Sequence, residues 1–398
     1  MSQKITVIFD IETDDTETIY PGLPIYIKKD VRYMFWSKED IVERLSKIPR
    51  TLEDISIEVF EGVPSTNDFL HEMSLSIENC TDAPYVCRNP QTNVSIKQAN
   101  IEKELMYPYM DGSVSNEFTI QSTQYQFMLP YEILGSEIRK EYKIIQPDEL
   151  KAKFPIAYKE LMEVKCKSIT EKQELDSPDC YRLGNESFLH YIKTPKIIIT
   201  DHSRLQASYD STGEHVFSDG VGVVLGDPTL YHYVTAVLNS SISKAFPEIW
   251  NRQNMQKRSH LYSEMLKRFP IEFPKSETSE TIVSTISRYL IYLNRQKYME
   301  KAYFIPEYQK LIDFYKRISD LLILDIYITD DLDPKLLEIL AENITPSDNE
   351  FEYSDDINLL IGLQEIQKNI LESPDFRRCR FSNEFTNILA TLKNNGVW

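Results

Sequence analysis

From residue 276 onward the sequence carries only the period of helices. "SETSETIVSTISRYLIYLNRQKYMEKA", "PEYQKLIDFYKRISDLLILDIYI", "DPKLLEILAENI" and "INLLIGLQEIQKNILE" repeat apolar residues three and four apart, so each has one stripe to bury. Before that point the apolar runs are short and bounded by turn residues. Strands gathered in one part and helices in another make an α+β chain. We expect a β-hairpin-like segment over 1–36, a strand-rich domain over 37–275 and an all-helical C-terminal domain over 276–398, and 398 residues suffice for more than one core.

Local signals sharpen this division. "SKEDIVERLSKI" (37–48) reads as a helix that Ser37 can cap, with Asp40 completing a capping box. "DELKAKFPIAYKELMEV" (148–164) is helical in pattern, and Pro155 should break or kink it. "PKIIIT" (195–200) and "DGVGVVLGDP" are predicted to be buried strands. The second ends where Asp227 is a good N-cap and Pro228 a good first helical residue. The following "TLYHYVTAVLNSSISKAF" places Leu230, Val234, Val237, Leu238 and Ile242 on one helix face.

The net charge of −18 argues against indiscriminate nucleic-acid binding, which depends on basic surface. The charge is uneven, however. Residues 1–82 hold 17 acids and 8 bases, and 319–356 hold 12 acids and only Lys335 as base. Residues 244–268 reverse the balance, with Lys244, Arg252, Lys257, Arg258, Lys267 and Arg268 against Glu248 and Glu264. No apolar run is long enough to span a membrane, and the N-terminus lacks a basic-then-apolar leader. Cys80, Cys87, Cys166, Cys180 and Cys379 are scattered, without a CxxC. Reduced thiols and a cytoplasmic location are the expectation.

Several strings suggest chemistry. In "VIFDIETDD", Asp10 and Glu12 would share one face of a strand, an arrangement that suits a divalent metal and resembles the first motif of 3′–5′ exonucleases. The remaining acids of such a site are poorly supplied: Asp68 of "STNDF" touches Asn67 directly, and Tyr107 and Asp111 fall early. Gly220, Gly222 and Gly226 miss the dinucleotide-binding spacing, and close packing inside a strand explains the first two better. Asp148, Glu149 and Lys151 of "PDELKAK" are too close together for a restriction-nuclease core. His202 and His232 lack ligand-spaced partners, which points to packing or surface roles. No GxSxG is present.

The basic segment has more chemical content. It interleaves its cations with Trp250, Asn251, Gln253, Asn254, Gln256, His260 and Tyr262. Arg and Lys hold phosphates and read guanine, Asn and Gln read adenine, and aromatics stack or pack. A solvated basic face is the competing explanation.

A series of stretches, taken in order, resembles the target-recognition region of type IIG restriction-modification enzymes and adenine-specific DNA methyltransferases, the group with a TaqI-like C-terminal specificity domain. The stretches are "RTLEDISIEVFEGVPSTNDF", "IEKELMYPYMDGSVSNEF", "FPIAYKEL", "PKIIITDHSRLQASYDSTGEHVFSDG", "YHYVTAVLNSSISKAF", "LKRFPIEFP" and "YQKLIDFYKRISDLLILDIYITDDL". The resemblance runs from about residue 37 to at least 333. Two departures stand out: the Thr-Gly-x-Asn loop is thinned to "PSTNDF", and "SNEF" replaces the Arg-Tyr that follows the central glycine. The family's upstream methyltransferase domain is missing, with neither a Gly-rich S-adenosylmethionine loop nor an Asn-Pro-Pro-Tyr motif; "RNPQT" is no substitute. Residues 1–36 sit where the last strands of that domain would lie.

The resemblance implies a sequence-specific DNA-binding module of a restriction-modification system that is not catalytic alone. Lys244, Arg252, Gln253, Asn254, Lys257, Arg258 and Arg268 would contact duplex DNA, joined by Arg204, Thr66 and Asn67 from other loops. No cofactor is expected in this chain; S-adenosylmethionine would belong to a methyltransferase/endonuclease partner subunit, which would flip the target adenine. Two other readings remain: a metal-dependent 3′–5′ exonuclease using Asp10 and Glu12, and an acidic interaction or DNA-mimic protein.

Overall fold

The computed structural model describes residues 44–63, 75–77, 85–89, 94–99, 101–111, 117–120, 125–168, 178, 181–183, 186–200, 205–218, 220–243, 263–299, 305–329, 332–346 and 351–376. Its strands are β1 (Ser56–Glu61), β2 (Leu75–Ile77), β3 (Tyr85–Asn89), β4 (Val94–Ala99), β5 (Met106–Asp111), β6 (Tyr125–Met128), β7 (Tyr131–Leu134), β8 (Glu141–Ile144), β9 (Lys196–Thr200), β10 (Gln206–Asp210), β11 (Val216–Ser218) and β12 (Gly220–Leu225). Its helices are α1 (Leu52–Ile55), α2 (Pro147–Lys153), α3 (Pro155–Ser168), α4 (Tyr231–Leu238), α5 (Ser263–Lys267), α6 (Glu277–Met299), α7 (Ile305–Leu324), α8 (Pro334–Asn343) and α9 (Ile357–Glu372). The fold is α+β, with the long helices in the C-terminal part.

Among the described residues three sheets form: an antiparallel one in the order β1-β12-β9-β10, a six-stranded one in the order β11-β5-β6-β2-β3-β4, and the β7-β8 hairpin. The first sheet is a wall between two apolar cores. Ile197 and Ile199 of β9, Val221, Val223 and Leu225 of β12, and Val59 of β1 face a core shared with α4 and α6–α9. The intervening Ile198, Val224 and Phe60 enter a second core with β5, β6, β11 and α2–α3. A sheet buried on both faces has no polar face, so its strands read as unbroken apolar runs. That is the physical basis of "KIIIT" and "GVGVV".

The glycines of β12 serve packing. A Cβ on Gly222 would come within 2.5 Å of the Phe60 ring, and one on Gly220 within 2.7 Å of the Ile199 carbonyl oxygen. Neither glycine turns around a nucleotide. Pro155 divides the predicted 148–164 helix into α2 and α3. The Glu102 carboxylate then accepts the Ile156 and Ala157 amides, each at 3.0 Å. The separate stretches "IEKEL" and "FPIAYKEL" thereby meet through a helix cap contributed from 54 residues away.

Asp227 accepts the Thr229 amide and opens a short 3₁₀ turn, Pro228–Leu230, that leads into α4. All eight residues of α4 are buried, since it lies between β9–β10 and α6. The helix ends at Leu238, earlier than its apolar period predicts. Asn239 leaves the helical path at φ −95°, ψ 0° because its side chain is bonded elsewhere, as described below.

Residue 275 is where α6 is about to begin, and the first core continues across it without a break: it contains Val234, Ile242, Ile286, Tyr315 and Leu340 together. Buried tyrosine hydroxyls stitch the long helices to their surroundings. Tyr233 donates to Glu272 O, Tyr327 to Pro270 O and Tyr315 to Leu363 O. Each such bond contributes about 1 kcal/mol net, and losing its partner would cost more. Of the helix expected over 37–48, residues 44–46 are helical and the earlier part lies outside the described residues.

Candidate nucleic-acid interface

The strand registers define two poles for the four-stranded sheet. Glu61 pairs with Val221, Gly220 with Thr200, and Thr200 with Gln206, so the end of β1, the start of β12, the end of β9 and the start of β10 lie together. Strand β5 runs to the same pole: it is parallel to β11, with Asp111 opposite Ser218, and Ser218 also bridges Val63. Asn239, just past α4, reaches this pole by bonding Ala207. Ser263, the first residue of α5, donates its hydroxyl to Glu61 Oε1 at 3.2 Å.

Segments 64–74, 112–116, 201–204 and 244–262 therefore leave from or return to one pole. Thr66 and Asn67 follow Val63, Arg204 precedes Leu205, and Lys244 follows Ser243. Chain connectivity keeps each within about 3.6 Å per intervening residue of these anchors. Thr66, Asn67, Arg204, Lys244, Arg252, Gln253, Asn254, Lys257 and Arg258 themselves lie outside the described residues, as do Asp10, Glu12, Asp68 and His202.

Arg268 is the one described candidate. It is exposed and follows α5, which runs back along β1 from Glu61. Lys267 beside it is within electrostatic reach of Glu53 and Glu58, so Arg268 lies towards the opposite pole from Ser263. Arg268 is thus set apart along the strand from Glu61 and Ser263, the anchors of the loop-bearing pole.

The anchoring residues at the loop-bearing pole are mutually bonded. Asn239 Oδ1 accepts the Ala207 amide at 2.9 Å, and Asn239 Nδ2 donates to Ala207 O at 2.8 Å and Thr235 O at 3.0 Å. One side chain thereby satisfies both free backbone groups of Ala207 on the edge strand β10. Phe118 N–H also donates to Ala207 O at 2.8 Å, and Phe118 O accepts from Tyr209 N at 3.2 Å. Phe118 does this at φ 68°, a costly conformation for a bulky residue, with its ring buried. Two contacts from α7 complete the arrangement. Asp320 accepts the Ser241 amide at 2.8 Å and the Ser241 hydroxyl at 2.5 Å, and Lys316 pairs with Glu117.

The far pole is fixed by a buried ion pair. Lys196 Nζ lies 3.0 Å from Asp210 Oδ2, both side chains are almost fully buried, and Lys196 also donates to Gly213 O. Asp210 further accepts the Gly213 and His215 amides, the Thr212 hydroxyl and the His215 ring. Burial works against its charge, but the Lys196 ammonium and His215 outweigh that and hold the Asp210 carboxyl well below the usual carboxylate range. Sequence reasoning did not single out this pair. A lysine opening the apolar run "KIIIT", in register with an aspartate that closes the next strand, is the signal that could have found it.

The other strings have structural roles. Glu149 pairs with Lys153 at 2.6 Å, one turn along α2. Tyr107 is buried in the second core, and burial raises its hydroxyl pKa. His232 is buried with its ring edge-on to Tyr209, centroids 5.2 Å apart. Burial first, and the Arg288 charge second, lower its pKa from 6.5 to about 3, so it is neutral at physiological pH. Between those values the unfolded chain binds a proton that the folded chain does not. Stability should therefore fall as pH drops from 6.5 towards 3. His232→Gln should flatten that slope in urea midpoints measured against pH; an unchanged slope would remove His232 as its source. Among the described residues no helix is long and apolar enough to cross a membrane, and no cluster of three or more His, Cys, Asp or Glu residues could hold a metal.

No family model matches the chain, and no curated protein matches it. Among solved structures, it is similar to the type IIL restriction-modification enzyme MmeI in complex with DNA, at a TM-score of 0.37 and 12% sequence identity. The match covers 89% of this chain and 41% of that one, so the chain spans less than half the length of that enzyme.

Proposed function

We propose that this chain is the sequence-specific DNA-binding module of a restriction-modification system, acting with an adenine-N6 methyltransferase/endonuclease subunit and without catalysis of its own. The observation that carries this reading is that the described end residues of four sequence-distant segments lie at one pole of the central sheet. Three of them hold the Arg, Lys, Asn, Gln and Thr residues suited to phosphates and base edges. A rigid scaffold presenting variable segments at one end is how binding residues are commonly displayed. The ordered family-like stretches support the same reading, because "IEKEL" is bonded to "FPIAYKEL" and "YHYVTAVLNSS" to "PKIIIT", and the two pairs pack into one core through Leu105, Ala157, Leu161 and Ile198.

With a net charge of −18, affinity must come from a local basic surface, which the 244–258 cations supply. The partner would bind S-adenosylmethionine and flip the target adenine; this chain would position the complex on its sequence. Such a system operates in the cytoplasm.

Duplex binding measured across a salt series tests the proposal. Log affinity should fall linearly with log salt at about −0.9 per neutralised phosphate, and replacing Arg252, Lys257 and Arg258 together by Gln should reduce the slope by about 2–3 units. A chain that binds no duplex, alone or with a methyltransferase partner, does not have this function. Degradation of single strands with Mg²⁺, abolished by Asp10→Ala, would replace it with the exonuclease reading.

A further inference from the structure

The loop-bearing pole is held from outside the sheet by one helix. On α7, Lys316 and Asp320 are one turn apart and so lie on one face. Lys316 pairs with Glu117, next to the strained Phe118 on the β10 edge. Asp320 takes both donors of Ser241, two residues beyond the Asn239 that closes the same edge at Ala207. The two contacts thus reach sites that are 124 residues apart in sequence and meet on one backbone unit, Ala207, through Phe118 and Asn239.

These contacts are specific in a way that apolar packing is not. A carboxylate that accepts a backbone amide and a hydroxyl from one residue fixes the direction of the chain there, and charged acceptors make the stronger hydrogen bonds. Ser241 opens the helical residues 241–243 with both its donors held by α7. Ser241 and Glu117, which border segments 244–262 and 112–116, are consequently both fixed by the helical region.

We propose that Lys316 and Asp320 are positioning residues, a two-point clamp by which the C-terminal helices set where the DNA-contacting segments leave the sheet. This rests on the reading above that those segments contact DNA. In this arrangement the helical region is part of the recognition apparatus without touching DNA itself.

The test uses the full chain and two readouts. Trypsin cleavage after Lys244, Arg252, Lys257 and Arg258, resolved by mass spectrometry without DNA, reports on how firmly the 244–262 segment is held. Duplex affinity and its salt slope report on recognition. Asp320→Ala and Lys316→Gln should each raise cleavage there or weaken duplex binding by about tenfold relative to the parent, with Asp320→Ala doing both. Asp320→Asn, which keeps an acceptor for one Ser241 donor, should show a smaller change. Tyr315→Phe, which removes a hydrogen bond from the same helix away from the clamp, should leave cleavage at these four bonds unchanged.

The salt slope separates positioning from direct contact. Removing a positioning residue leaves the number of neutralised phosphates unchanged, so the slope should not move. A shallower slope in Lys316→Gln would make Lys316 a phosphate contact and overturn the clamp, and so would unchanged affinity in Asp320→Ala. A parent chain that binds no duplex defeats the DNA reading instead, and unchanged cleavage in Asp320→Ala then defeats the clamp independently.

Discussion

Lys196→Met should lower the free energy of unfolding by about 3–5 kcal/mol, the cost of removing one partner from a buried ion pair. Methionine fills the space, so the loss comes from the Asp210 charge, left in a site that is 3% exposed. The urea midpoint at neutral pH measures it. A loss below about 1 kcal/mol would mean that the amide and hydroxyl donors around Asp210 hold the charge by themselves. The acid limb gives a second readout. The folded-state pKa of Asp210 is depressed below 3.8, so its contribution is present above that value and is lost as pH falls. Without the ammonium that pKa rises, and acid unfolding should begin at a higher pH. Lys196→Met with Asp210→Leu should recover part of the stability, since an apolar pair can replace a buried ionic one.

Asn239→Ala should cost about 2–4 kcal/mol, because it strands the Ala207 amide in a buried position and removes one of the two donors to its carbonyl. The effect should be local as well as global. In native-state hydrogen exchange, the Ala207 amide should lose protection by more than its neighbours on the β9 side, whose partners are backbone groups. Equal loss along the whole strand would make Asn239 a packing residue only. Asn239→Asp offers a sharper comparison: it keeps the acceptor for Ala207 N and sets a carboxylate against Ala207 O. It should therefore recover little of the stability.

The local rules of the sequence carried well into the structure. Pro155 divides a helix, Asp227 and Pro228 start one, and glycines inside β12 serve close packing. Each is decided within a few residues, and such signals are legible without a fold. The features that build the pole are decided over long separations. Asn239 ends α4 early because of a partner 32 residues away, and Ser241 is held by an acid 79 residues away. No periodicity reports on either. The apolar runs of β9 and β12 identified them as buried, but only the sheet order shows that alternate residues serve different cores. Likewise the candidate binding residues were chosen by side-chain chemistry. That their segments share a pole follows from strand direction and register, which the sequence does not display.

The ion-paired pole and the loop-bearing pole impose opposite demands on any change of sequence. At the first, Lys196, Asp210 and Gly213 fit one another so closely that an inserted or deleted residue would misalign the donors of a buried carboxylate. At the second, the described strands end in fixed anchors at Glu61, Asp111, Thr200 and Ser218. Lengthening a connection there adds only a slowly growing closure entropy, about 0.6 kcal/mol for each doubling. The scaffold can therefore absorb insertions, deletions and wholesale replacement of its connecting segments at one end while its core remains untouched.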